Sequence, residues 1–96
     1  MSFEFLEPAK DELDEAVGFY SRQRTGLGEE FRAEVKRTIL RILNSPEQWR
    51  RIFDDVRQCR TKRFPYAILY EVTPTGILIV AVMHTKRHPD YWKGRI

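Results

Sequence analysis

Residues 56–84 read VRQCRTKRFPYAILYEVTPTGILIVAVMH, and their periodicity decides the fold. Val56 to Phe64 is expected to form a strand rich in cations, with Arg57, Arg60, Lys62 and Arg63. In an extended chain Gln58, Arg60 and Lys62 share one face, while Cys59 and Thr61 point the other way. Phe64-Pro65 breaks the run. Tyr66 to Val72 gives a second strand, with Tyr66, Ile68, Tyr70 and Val72 on one face. Thr73-Pro74-Thr75-Gly76 is a turn by composition. Ile77 to His84 is apolar on both faces, as a central, covered strand must be. Three successive strands with short turns make an antiparallel meander.

Upstream of residue 55 the apolar period is helical. Ala9, Leu13, Ala16, Val17 and Tyr20 form a stripe on a helix expected from Pro8 to Arg24. Phe31, Val35, Ile39, Ile42 and Leu43 do the same on a second, expected from Leu27 to Leu43. Acids open each helix and arginines close it, which opposes the helix dipole. Thr25-Gly26-Leu27-Gly28 reverses the chain between them, and Asn44-Ser45-Pro46 ends the second helix. The segment around Trp49, Arg50 and Arg51 reads as a loop; Trp49 fits either the core or a partner surface, and core packing is the commoner role. Phe3-Glu4-Phe5-Leu6 reads as a short first strand. The expected class is α+β: a short N-terminal strand and an αα-hairpin packed on a C-terminal antiparallel β-meander, one domain over residues 1–96.

Charge is unevenly spread. Residues 1–34 hold nine acids and four bases, while residues 35–96 hold five acids and thirteen bases. The basic half is therefore expected to gather positive side chains along one side of the meander and hold an anionic partner. The one cysteine, Cys59, excludes an internal disulfide and fits a reducing compartment. The first twenty residues carry six acids and no apolar signal region. The longest apolar run, Ile77 to Met83, is far short of the roughly 20 residues that span a bilayer. The expectation is a cytoplasmic protein without a membrane partner.

Two groups of residues have chemical promise. Arg60 and Lys62, about 7 Å apart on one strand face, match the spacing of neighbouring anions. The alternative is an edge strand guarded by charge. His84, Arg87, His88 and Tyr91 follow the central strand. Arginine stabilises phosphate charge, histidine titrates near neutral pH and tyrosine can give a proton, which together suit RNA cleavage by 2′-hydroxyl attack. The alternative is structural: His84 bonds a backbone carbonyl while Tyr91 and Trp92 pin the tail to the core. His84, His88 and Asp90 straddle a strand end and lack further ligands, so no metal is expected, nor any cofactor. A glycine-rich phosphate loop and a serine-nucleophile motif are both missing.

Three stretches resemble a known family. RTGLGEEF (24–31) is similar to an R-x-G-L-G-x-x-F helix junction, RFPYAILY (63–70) to an R-F-P-Y-x-I-x-Y hairpin, and VMHTKRHPDYW (82–92) to a V-x-H-x-x-R-x-P-x-Y-W ending. All three belong, in this order, to the ParE/RelE superfamily of toxins from type II toxin–antitoxin, or plasmid stabilisation, modules. The resemblance implies a cognate antitoxin, hence a hetero-oligomer. It also implies one of two targets. ParE-like members inhibit DNA gyrase without bond chemistry; RelE-like members cut mRNA on the ribosome. In the nuclease reading Arg60, Lys62, Arg87, His84 and Tyr91 are the catalytic positions. The antitoxin would lie on Arg57, Arg60, Lys62, Arg63 and Trp92. Ala67 stands where the nuclease branch commonly has arginine, and His84 is more ParE-like, so the sequence favours the gyrase inhibitor.

Overall fold

The computed structural model describes residues 2–96. Its elements are β1 (Ser2–Phe5), α1 (Glu7–Gln23), α2 (Leu27–Asn44), β2 (Arg50–Phe53), β3 (Val56–Arg60), β4 (Tyr66–Thr73) and β5 (Gly76–His84), followed by a short 3₁₀ turn at Lys93–Arg95. The helices form the expected hairpin. Their apolar stripes face one side of the sheet, burying Leu13, Ala16, Val17, Phe31, Val35 and Ile39 against Cys59, Ile68, Tyr70, Ile79 and Val82. The reversal needs Gly26, whose φ of 86° lies in the left-handed region. Gly28 lets the helices touch: a Cβ there would come within 2.5 Å of the Val17 carbonyl oxygen.

The sheet order is β1-β5-β4-β3-β2. Strands β2 to β5 form an antiparallel meander, as expected, with one more strand than the sequence reading supplied. That strand, β2, replaces the expected loop at Arg50 and Arg51. β1 pairs with β5 in parallel, from Ser2↔Gly76 to Phe5↔Ile79. β1 ends there, so the second half of β5 has no strand beside it on that edge.

The far face of the sheet carries a second, smaller core. Val56, Ala67, Leu69, Val80, Ala81 and Met83 are covered by Trp92 of the C-terminal tail. Trp92 is 1% exposed, and its indole N–H donates to the Pro89 carbonyl at 2.7 Å. The strand beginning at Val56 ends at Arg60 rather than Phe64. Thr61 causes this. Its hydroxyl donates to the carbonyls of Phe64 and Tyr66, and Phe64 takes a φ of 70°. The chain turns there instead of extending, so Lys62 never shares a strand face with Arg60.

Candidate functional site

A groove of about 490 Å³ runs between α1 and the end of β5. Glu12, Phe19 and Arg22 line it from the helix; Tyr66, His84 and Arg87 line it from the sheet. Tyr66 and His84 are opposite each other in the β4–β5 ladder, which puts both on the helix-facing side. Their rings meet edge to face at 5.1 Å. The Lys86 N–H donates to His84 Nδ1 at 3.0 Å. A neutral His84 therefore carries its proton on Nε2. The backbone group bonded by His84 is an N–H, not the carbonyl expected from sequence.

Glu12 closes one end of this groove. Its carboxylate accepts from the Val82 N–H at 3.0 Å, from Arg95 at 2.9 and 3.0 Å, and from the Tyr91 hydroxyl. Arg87 adds a longer contact at 3.5 Å and lies over the Tyr91 ring, 3.7 Å from its centroid. Arg95 also donates to the Val80 carbonyl at 3.0 Å. Glu12 and Arg95 thus bond a backbone N–H and a carbonyl on the half of β5 that β1 does not reach. Burial, then the bond to Glu12 and its charge, push the Tyr91 hydroxyl above the ordinary tyrosine range. Burial leads the rise at Tyr66 as well, followed by the neighbouring Tyr20 and Glu12.

Glu34 organises a second cluster, on α2. Its side chain is 6% exposed, and Oε2 accepts from the Lys62 N–H at 2.6 Å and the Arg63 N–H at 2.9 Å. Arg37 donates to Oε1 at 3.1 Å. Burial alone would raise this carboxyl; the two backbone N–H groups and Arg37 outweigh it and lower it.

The basic residues expected along one side of the meander are distributed instead. Arg60 is in register with Ala67, and Ala67 with Met83. Register partners share a face, and Ala67 and Met83 belong to the tail-side core, so Arg60 lies across the sheet from His84. Lys62 lines a groove beside α2. Arg57 is half-buried, donating to the carbonyls of Glu47 and Trp49 at 3.0 and 2.8 Å. Arg63 pairs with Glu30 at 3.1 Å and lies over Phe64. Trp92, expected at a partner surface, is a core residue whose ring has no free face to offer. Trp49 packs against the helix-side core, with Arg41 over its ring at 5.6 Å. Only His84 and Arg87, of the five candidate catalytic residues, line one groove.

Sequence reasoning missed Glu12 and Glu34. Both carry a signal. Glu12 falls between Ala9, Leu13 and Ala16, and Glu34 between Phe31, Val35 and Thr38, so each is an acid inside an apolar stripe.

Comparison with known proteins supplies a family. Residues 3–89 match the model described as ParE toxin of type II toxin-antitoxin system, parDE. The fold is similar to a solved structure titled "Chromosomal ParDE TA system from P. aeruginosa", with a TM-score of 0.71 and 16% sequence identity over 90% of this chain and 97% of that one. No curated protein matches the sequence.

Proposed function

The chain belongs to the ParE toxin family of type II toxin–antitoxin systems, and on that premise we propose that it is a cytoplasmic growth inhibitor acting on DNA gyrase and neutralised by a cognate antitoxin. The observation that carries this reading is the separation of Arg60 from His84 by the thickness of the sheet. Phosphodiester cleavage needs a base, an acid and a phosphate-holding cation within hydrogen-bond reach of one reacting centre. Here Arg60 is on the far face and Lys62 is beside α2. The Tyr91 hydroxyl is occupied by Glu12. Ala67, fully buried, leaves no room for a further arginine. These residues support a toxin that works by binding. The test is supercoiling by purified gyrase: micromolar protein should inhibit it, and unimpaired supercoiling would reject the reading.

A second reading rests on the shared groove of His84 and Arg87. In a RelE-like ribosome-dependent endonuclease Arg87 would stabilise phosphate charge and His84 would move the proton. Mapping message ends on translating ribosomes separates the two. New ends that fall at least about 10²-fold in yield with Arg87→Ala would establish cleavage; unchanged ends would reject it.

A further inference from the structure

The interior of α1 contains a glycine for which the chain's own packing gives no reason. Gly18 lies well inside the 17-residue helix Glu7–Gln23, where glycine is less favourable than alanine. Gly28 differs, because a Cβ there would strike the Val17 carbonyl oxygen. A Cβ on Gly18 would meet only the tip of the flexible Arg22 side chain, at 3.4 Å. With alanine there the two helices would still pack, and α1 would be the better helix. What the missing side chain does is lower one wall of the groove between α1 and β5, which Gly18 lines.

The surroundings of Gly18 say what the space is for. Phe19, on the same wall, is 49% exposed; its ring meets Tyr20 edge to face at 5.3 Å. Asp14, Gly18 and Arg22 are four residues apart, so they form one line along the helix, an acid and a base flanking the bare step. Arg22 and Glu15 form no ion pair among the described residues, and Asp14 has a 3.9 Å contact with Lys10. Across the groove the Arg87 side chain is 53% exposed and reaches a carboxylate only at 3.5 Å. A nucleic-acid strand would be drawn by Arg22 and Arg87 and repelled by Asp14 and Glu15. A protein segment with both signs of charge around an apolar side chain satisfies all of them. We infer that this groove is where the chain holds gyrase; the identity of the partner rests on the function proposed above. A gyrase segment seats an apolar side chain on Gly18 beside Phe19. It sets a carboxylate against Arg22 and Arg87, and a base against Asp14 and Glu15.

Gly18→Gln tests the groove by filling it, since it removes no contact within the chain. Glutamine is the better helix former, so the thermal unfolding midpoint should stay at or above the parent's. The concentration needed to inhibit supercoiling should nevertheless rise at least about tenfold. Phe19→Ser, at an exposed position, should raise it about tenfold as well. Arg60→Ala, across the sheet, is the control and should inhibit as the parent does. Titrating fluorescently labelled chains with purified gyrase should give the same order of affinities. Parent-like binding and inhibition by Gly18→Gln and Phe19→Ser overturn the groove and leave gyrase as the target. A midpoint for Gly18→Gln well below the parent's shows that the fold itself requires the glycine, and also overturns the inference. A parent chain that neither binds nor inhibits gyrase removes the proposed function, and this occupant with it. A single-stranded oligonucleotide that displaces gyrase from the parent, and binds Gly18→Gln less well, makes the groove a nucleic-acid site and overturns the protein occupant.

Discussion

Glu12 and Glu34 occupy matching places on the two helices, yet they fasten different parts of the molecule. Each is an acid in an apolar stripe, and each accepts hydrogen bonds from backbone N–H groups on the sheet side. Glu34 collects two consecutive N–H groups and one arginine, so it fixes a turn. Glu12 collects one N–H group, two arginines and a phenol, so it fixes the C-terminal tail. Turn fixing is local and mostly backbone. Tail fixing joins α1, β5 and residues 87–95, which are distant in sequence. The difference teaches that the two helices of the hairpin have unequal stakes in a single carboxylate.

Replacing each acid breaks this comparison most directly. Glu12→Ala leaves Arg95, whose side chain is 17% exposed, without its partner, and strips the Val82 N–H of its acceptor. Loss of one member of such a buried pair costs about 3–5 kcal/mol. Urea unfolding should show it, and a loss below about 1 kcal/mol would mean the tail is held by Trp92 alone. Glu34→Ala should cost about 2 kcal/mol, the scale for stranding buried donors. Amide exchange should then accelerate at Lys62 and Arg63 but not in the tail.

Acid sharpens the comparison further. The Glu34 carboxyl is lowered in the folded state. Its stabilisation is therefore complete above the unfolded glutamate value of about 4.3 and is lost as pH falls through the folded value. The stability gap between the parent chain and Glu34→Gln should be constant near neutral pH and close under acid. A gap that widens as pH falls would contradict the assignment. The smallest effect belongs to Arg60→Ala. Arg60 has no ion pair among the described residues, so stability should change by no more than about 0.5 kcal/mol and gyrase inhibition should persist. Loss of toxicity on that change alone would restore the cationic strand as a working surface.

Much of the fold was legible because burial imposes period. The stripes on α1 and α2 and the two-sided apolar run of β5 leave little choice of element. β2 was hidden because Arg50-Arg51-Ile52-Phe53 has two exposed arginines and no clear alternation. The parallel pairing of β1 was hidden because its partner lies more than seventy residues away. The length of β3 was misread because β-propensity continues through Thr61, while the chain is turned there by the Thr61 hydroxyl and by Glu34, which lies in another element. The site was less legible for the same reason. His84 and Arg87 share a groove through local sequence, whereas the separation of Arg60 from them follows from register and from an early strand end. The C-terminal motif itself read correctly in part: Tyr91 and Trp92 do pin the tail.

The pairing of β1 with β5 also sets the order in which the molecule can be completed. Residues 2–5 emerge before residues 76–79 during synthesis and have no strand to join until those have followed. Contacts of such long sequence separation form late and slow the approach to the native state. Phe3 and Phe5 must wait while both helices and three further strands are made, and a chain interrupted before Gly76 leaves β1 without its partner.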